Sequence, residues 1–153
     1  MKVLVTGNLG YVGNVLTRML LNQKFDVTGY DVGFYPQGFL GLENFEYQQI
    51  KKDIRYVSVE DLKDVSAICH LAALSNDPLG EIDSNLTEDI NYKATIRLAK
   101  LAKEANVEKF IFSSSCSSYG MNEKIVNEES ELTPLTAYAK SKVNSERAIS
   151  EIS

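Results

Sequence analysis

Two groups of residues in this sequence have types and spacings that can do chemistry. Near the N-terminus, an apolar segment leads straight into three glycines spaced Gly-x-x-Gly-x-x-Gly, which are Gly7, Gly10 and Gly13. Far along the chain, Tyr138 and Lys142 form the pattern Tyr-x-x-x-Lys. The first group can hold a phosphate chain against backbone amides, and the second can take up and release a proton.

The glycine spacing predicts a loop that binds a dinucleotide. Gly7 permits the tight turn out of the preceding strand, Gly10 lets the backbone approach the phosphates, and Gly13 lets the next helix pack closely. The N-terminus of that helix offers unpaired N–H groups to a pyrophosphate. An ordinary glycine-rich turn is the alternative, but the position at the start of a βαβ pattern favours binding. The predicted cofactor contacts are Gly7, Asn8, Leu9, Gly10, Tyr11, Val12 and Gly13.

Asp31 ends the second predicted strand and is the candidate for ribose recognition. A carboxylate at this place accepts hydrogen bonds from the hydroxyls of an adenosine ribose and repels a 2′-phosphate, which favours NAD over NADP. The alternative is a turn aspartate that precedes Gly33.

Tyr138 and Lys142 lie four residues apart, hence on one face of a helix. A phenol has a pKa of about 10 and is a poor base near neutral pH, but a nearby ammonium favours the phenolate. Lowering that pKa by about two to three units takes roughly 3–4 kcal/mol of differential stabilisation, which two cations in a dry pocket can supply. We therefore predict that Tyr138 is a general base, although surface helix pairs share this spacing.

A run of hydroxyl side chains, Ser113 to Ser118 with Cys116 among them, follows the fifth predicted strand. At the carboxyl end of a parallel strand such hydroxyls face the ligand cleft. One of them can hydrogen-bond the substrate oxygen on which Tyr138 acts. The alternative is a polar exit from strand to loop.

The elements that must position these groups alternate along the chain. Strands are predicted at 2–6, 26–31, 45–50, 66–71 and 109–113, and long helices at 11–22, 85–105 and 137–152. Between them lie a glycine-rich connection at 33–41, a capping box at 58–61 and a polar loop at 122–135 that leads to Thr136, the cap of the last helix. The first helix carries an apolar stripe of Val12, Val15, Leu16, Met19 and Leu20. This alternation predicts one α/β domain over 1–153 with a mostly parallel sheet.

Composition excludes several classes of function. The net charge of −5 argues against nucleic acid as a partner. No apolar run approaches membrane-spanning length, and the N-terminus does not have the pattern of a signal peptide. Cys69 and Cys116 fit neither a metal spacing nor a disulfide framework, so a reducing, cytoplasmic setting is expected.

Taken together, these residues resemble the extended short-chain dehydrogenase/reductases, specifically the NAD-dependent epimerase/dehydratase family that acts on nucleotide sugars. The resemblance covers the whole chain and rests on Thr6-Gly7-x-x-Gly10-x-x-Gly13, Asp31, Asp53-Ile54, His70-Leu71-Ala72-Ala73, Asn91, Ser113-Ser114-Ser115-x-x-x-Tyr119-Gly120 and Tyr138-x-x-x-Lys142. It implies a Rossmann-type doubly wound parallel sheet in three α/β/α layers, with NAD as cofactor.

The resemblance also implies a role for single residues. Ser115, four residues before Tyr119, matches the catalytic serine or threonine and acts with Tyr138 and Lys142, and Lys142 also binds the nicotinamide ribose. His70, the only histidine, ends a strand and is not catalytic, and Cys116 is expected to be a small packed thiol. Further cofactor positions are Asp53 and Ile54 beside the adenine, Leu71, Ala72 and Ala73 through their backbone, and Asn91 and Ser113.

Two departures from the family pattern narrow the expected chemistry. Cys116 and Ser117 stand where 4,6-dehydratases carry Asp-Glu, which disfavours dehydration, and Cys116 is out of register with the cysteine of 3,5-epimerising members. What remains resembles a nucleotide-sugar 4-epimerase that passes through a 4-keto sugar. The chain is also about half the usual length of the family. We therefore expect it to be an N-terminal portion without the C-terminal substrate domain, and this portion by itself can be inactive.

Other interpretations stay open at this stage. The protein can be a reductase or dehydratase of the same family, or a non-catalytic dinucleotide-sensing module, although such modules usually lack the tyrosine and lysine. By resemblance, the helices at 85–105 and 137–152 form a four-helix bundle between two subunits, so a homodimer is expected.

Overall fold

A five-stranded parallel sheet organises the protein. The computed structural model describes residues 1–34 and 45–152. The strands are β1 (Lys2–Thr6), β2 (Asp26–Asp31), β3 (Gln48–Lys51), β4 (Ala67–His70) and β5 (Lys109–Phe112). They lie in the order β3-β2-β1-β4-β5, and every neighbouring pair is parallel. The predicted strands are confirmed, with β3 displaced toward its C-terminal end because its register against β2 begins at Gln48.

Helices follow the strands. The α-helices are α1 (Tyr11–Asn22), α2 (Asp77–Ile82), α3 (Ser84–Thr87), α4 (Ala94–Glu104) and α5 (Ala137–Ile152). Short 3-10 turns lie at Ile54–Tyr56, Val59–Leu62 and Cys116–Tyr119, and the predicted capping box opens the second of these, where Ser58 N–H donates to Asp61 at 2.9 Å. Most of the predicted connection at 33–41 lies outside the described residues. No helix of the described ranges is both long and apolar enough to cross a membrane.

Two apolar clusters cover the two faces of the sheet. Val3, Val5 and Val27 face α1, with Leu16 and Leu20 packed against them. Leu4 and Ile68 point the other way, because successive side chains of a strand alternate between faces, and pack against Leu98 of α4. The predicted three-layer, doubly wound arrangement is therefore confirmed.

The predicted apolar stripe of α1 is only partly right. Leu16 and Leu20 pack on the sheet, but Val12 and Met19 are 60% and 61% exposed. The buried residues of α1 are Gly13, Asn14 and Thr17. Gly13 lacks a side chain and lets α1 approach the backbone of the loop before it, so the contact face centres on this side of the helix.

The long helix predicted at 85–105 is helical but not uniform. A π-helical segment, Glu88–Lys93, joins α3 to α4. Its buried residue is Asn91, whose carbonyl accepts hydrogen bonds from Thr95 Oγ1 at 2.7 Å and Ser145 Oγ at 3.1 Å. Apolar periodicity carries no signal for such an insertion, because the apolar residues on either side still fall on the core face.

His70 is buried and structural, as predicted. Thr6 Oγ1 accepts two backbone N–H groups of the segment after β4, so its own proton goes to His70 Nδ1 at 2.6 Å. His70 Nε2–H then donates to Thr95 Oγ1 at 2.8 Å, which fixes the neutral Nε2–H tautomer. Burial, with a smaller contribution from the charge of Lys142, lowers the pKa of His70 to about 3.

This pKa makes the fold sensitive to acid. The unfolded chain binds a proton near pH 6.5 and the folded protein does not until about pH 3, so stability is lost as the pH falls between these values. From pH 7 to pH 5 we expect the free energy of unfolding to fall by about 2 kcal/mol relative to His70→Gln, measured by chemical denaturation. Parallel pH profiles of the two proteins would contradict this assignment.

Candidate functional site

The candidate site lies where the carboxyl ends of β1 and β4 meet. β1 is flanked by β2 on one side and β4 on the other, so the chain order reverses between β1 and β4. In open parallel sheets ligands bind in the crevice at this reversal. The glycine loop leaves β1 here, and Leu71, Ala72 and Ala73 leave β4 beside it.

Close packing at this crevice explains two of the three glycines. Gly7 has φ +72°, and a Cβ there would lie 2.7 Å from Ala72 N. A Cβ at Gly13 would lie 2.0 Å from Gly7 O. Both positions therefore exclude any side chain, and the loop is held against the exit of β4. Leu71 and Ala72 also donate their N–H groups to Thr6 Oγ1, each at 3.2 Å.

The side chains of the described residues leave the N-terminus of α1 open. Asn76, Asp83 and Thr136 cap α2, α3 and α5 by accepting backbone N–H groups. Among the described residues, by contrast, no side chain caps α1 at Gly10, and its first turn contains no acidic residue. The first N–H groups of a helix have no acceptor inside it, so those of α1 are available to an anion. The loop therefore fits a pyrophosphate.

Asp31 holds the glycine loop as well as facing the crevice. Its carboxylate accepts Leu9 N–H at 3.1 Å and Gly33 N–H at 2.8 Å. Each carboxylate oxygen has a further lone pair, so the group can still accept a ribose hydroxyl. Asn8 is fully buried and exchanges two amide hydrogen bonds with Gln49 of β3, at 2.7 and 3.2 Å. This pair, which sequence reasoning missed, ties the loop to the third strand.

Three predicted cofactor positions are engaged within the protein. Asp53 forms a salt bridge with Arg55 at 2.6 Å, and hydrogen bonds from Arg55 hold the pKa of its carboxyl below the usual value. The side chain of Ile54 lies in the core. Asn91 accepts Leu74 N–H at 2.8 Å and donates to Leu74 O and Ser141 Oγ. Asn91 thus holds the segment that follows β4.

Lys142 and Tyr138 come together at the end of β5. Both are buried, and Lys142 Nζ lies 5.7 Å from the centre of the Tyr138 ring. Lys142 Nζ donates to Ser113 O at 2.8 Å and lies over the Phe112 ring at 4.8 Å. Burial lowers the pKa of Lys142 to about 8, against an opposing effect of Glu146. The structure therefore places a poorly hydrated ammonium beside the phenol.

Ser115 lies at the start of the 3-10 turn that follows β5. Its Oγ accepts Ser117 N–H and donates to Ser117 Oγ, both at 3.2 Å. The turn thus presents Ser115 at the carboxyl end of the sheet, as predicted. Cys116 is exposed, so the expectation of a packed thiol is wrong; as the first residue of a surface turn it has no core to enter.

Sequence reasoning missed α2, which packs against the start of α5. A Cβ at Gly80 would lie 3.0 Å from Tyr138 Cβ, so the two helices are in close contact at the candidate base. Asp77 accepts the Thr136 hydroxyl, and Glu81 accepts Ala137 N–H at 2.6 Å. The pattern Asn-Asp-Pro at 76–78 marks a helix start and is the signal that could have revealed it.

Comparison with known proteins agrees with this geometry. The family model described as the NAD dependent epimerase/dehydratase family matches residues 3–153. The chain belongs to this family. Among the described residues of this family member, no three His, Cys, Asp or Glu side chains come together as metal ligands.

Similar proteins include several nucleotide-sugar enzymes. An uncharacterized UDP-glucose epimerase of Bacillus subtilis is 30% identical over 96% of this chain and 50% of its own length. The UDP-glucuronic acid 4-epimerase of Bacillus cereus, solved with UDP-glucuronic acid and NAD, is 29% identical with a TM-score of 0.90, covering 99% of this chain and 52% of that one. An NAD dependent NDP-hexosamine 5,6-dehydratase of tunicamycin biosynthesis is 28% identical with a TM-score of 0.88, covering 97% and 48%. This family member spans about half the length of the curated relatives it matches.

The buried ammonium of Lys142 predicts a stability that rises in alkali. The unfolded lysine keeps its proton to pH 10.5, whereas the folded one loses it near pH 8, so folding becomes more favourable between these values. Relative to Lys142→Met, the free energy of unfolding should rise by about 2 kcal/mol from pH 7.5 to pH 10. Chemical denaturation in a Tyr138→Phe background removes the phenol from the comparison. Equal pH slopes would show that Lys142 keeps its ordinary pKa.

Proposed function

We propose that this chain supplies the NAD site and the catalytic residues of a nucleotide-sugar 4-epimerase. The observation that carries the proposal is the burial of Lys142 beside Tyr138, at the same carboxyl end of the sheet as the N-terminus of α1, which no described side chain caps. Membership of an NAD dependent family and likeness to 4-epimerases support the choice of cofactor and reaction.

The cofactor would lie along the crevice between β1 and β4. Backbone amides of residues 7 to 13 would bind its pyrophosphate, and Asp31 would accept a hydroxyl of the adenosine ribose. Leu71, Ala72 and Ala73 would line the path from the loop toward Lys142, which would bind the nicotinamide ribose. When bound, NAD would supply the acceptor for a hydride from C4 of the sugar and, once reduced, the donor for its return to the opposite face.

Tyr138 would act as the base. Its phenolate takes the proton of the C4 hydroxyl as the sugar is oxidised, and gives it back when the 4-keto sugar is reduced. Lys142 would support this role because its ammonium is buried and close to the Tyr138 ring, so that its charge is weakly screened there. Ser115 would hydrogen-bond the same oxygen and hold it in line with Tyr138.

The activity is tested on the complete gene product that contains this chain. Incubated with NAD and a panel of nucleotide sugars, it should interconvert one pair of C4 epimers, read by NMR of the sugar. Tyr138→Phe should lower kcat by about 100-fold or more, because general base catalysis is lost, while NADH fluorescence still reports binding.

Three outcomes of this assay would contradict the proposal. A product lighter by one water would identify a dehydratase, and net consumption of NADH, supplied in place of NAD, would identify a reductase. NAD binding without turnover of any sugar in the wild type, unchanged in Tyr138→Phe, would indicate a dinucleotide-sensing module.

The face formed by α4 and α5 is the proposed dimer interface. The two helices are neighbours, with Lys103 Nζ donating to Ile152 O at 2.6 Å. Half-buried apolar side chains lie on both helices, Ile96 on α4 and Ile149 and Ile152 on α5. A two-fold related copy would cover them in a four-helix bundle.

Sedimentation at micromolar concentration checks the interface. The protein should be a dimer, and Ile149→Glu should make it a monomer because a charge is then buried in the apolar contact. Ile125→Glu, on a fully exposed loop residue, is the matched control and should remain a dimer. A wild-type monomer, or equal behaviour of the two variants, would argue against this surface.

A further inference from the structure

We propose that Asp77 is a positioning residue that fixes Ser115 relative to Tyr138. The inference rests on the proposed function, in which Ser115 and Tyr138 act on the same oxygen. Asp77 belongs to α2, which was not expected from the sequence, and its side chain is only partly exposed.

The Asp77 carboxylate joins two segments that are distant in sequence. One oxygen accepts the hydroxyl of Thr136, and the other accepts Ser117 Oγ–H at 3.4 Å. Thr136 in turn accepts Ala139 N–H at 3.1 Å and so caps α5, the helix that carries Tyr138. The Asp77 carboxylate therefore spans the gap between the 3-10 turn Cys116–Tyr119, here named the serine turn, and the start of α5.

Ser117 passes this restraint on to Ser115. The two hydroxyls lie 3.2 Å apart, and Ser117 N–H donates to Ser115 Oγ. When Ser117 is hydrogen-bonded to Asp77, both the hydroxyl and the N–H of Ser117 hold the Ser115 hydroxyl in place. Loss of the carboxylate would free Ser117 to rotate and Ser115 with it, while the backbone of α5 keeps its other contacts.

Asp77 also lies on the wall of an open cavity of about 240 Å³. Ser117, Gly120, Leu135 and Thr136 line the same cavity. Truncation of Asp77 would therefore enlarge an existing cavity instead of opening a void in the core, and the fold is expected to tolerate it.

Glu81 provides a matched control on the same helix. It also accepts a hydrogen bond at the start of α5, from Ala137 N–H at 2.6 Å. The Glu81 carboxylate thus helps to dock α2 on α5, as Asp77 does. Unlike Asp77, it accepts a backbone N–H of α5 and, among the described residues, makes no hydrogen bond to the serine turn. A purely structural role of α2 would make the two carboxylates equivalent.

The test compares Asp77→Ala, Asp77→Asn and Glu81→Gln in the complete gene product. Misplacement of a reacting group predicts that kcat falls by about 10- to 100-fold in Asp77→Ala, with KM and NADH binding little changed. Asp77→Asn keeps one acceptor oxygen and should recover part of the loss, and Glu81→Gln should retain nearly the full kcat. Asp77→Ala and Ser117→Ala should not be additive, because both break the same link.

Hydrogen exchange provides a second measurement of the role of Asp77, and this measurement does not depend on turnover. The amides of Ser117, Ser118 and Gly120 bond within the serine turn, so they should exchange faster in Asp77→Ala and remain protected in Glu81→Gln. If the wild type converts no nucleotide sugar, the proposed function fails and exchange alone decides the role of Asp77. Equal losses of kcat in Asp77→Ala and Glu81→Gln, or equal exchange at this turn, would overturn the inference.

Discussion

An unpaired buried polar group is costly, and in this protein one chain of hydrogen bonds pairs several such groups across the fold. It runs from Thr6 at the end of β1 through His70 and Thr95 to Asn91, and from there to Ser141 on α5. All five side chains are buried, so an unpaired member would cost more than the bond it lost. The chain links the strand that starts the glycine loop to the helix that carries Tyr138. The glycine loop and the proposed base are thus connected through the interior of the protein.

The two halves of the proposed site are built by opposite means. The glycine loop depends on the absence of side chains, because Gly7 and Gly13 leave no room for a Cβ and no described side chain caps the N-terminus of the helix that follows. The catalytic half works by crowding, because Lys142 is buried against two rings and a carbonyl and is poorly hydrated. An exposed amide array suits a diphosphate, and a desolvated cation suits a phenolate.

Local sequence patterns predicted most of the fold, but they did not predict the contacts that hold the residues of the proposed site in position. The glycine spacing, the apolar strands and Thr136 as a cap act over a few residues, so the sequence displays them directly. The contacts of Asp77 reach Ser117 and Thr136, 40 and 59 residues away. The six residues of α2, which include a proline and a glycine, are too few to establish a helical periodicity. The stripe on α1 was misjudged for a related reason: the depth of packing at Gly13, not hydrophobicity alone, decides which face turns inward.

The π-helical segment at 88–93 has a consequence for how the sequence can change length. One turn there holds an extra residue, and this turn aims Asn91 at Leu74 and Ser141. Removing one residue would restore a regular helix and rotate α3, which precedes the segment, away from the residues it contacts. Adding one residue would rotate α3 too far in the opposite direction. Gains and losses of residues during divergence would therefore be filtered out of this helix and accumulate in the exposed polar loop near residue 125.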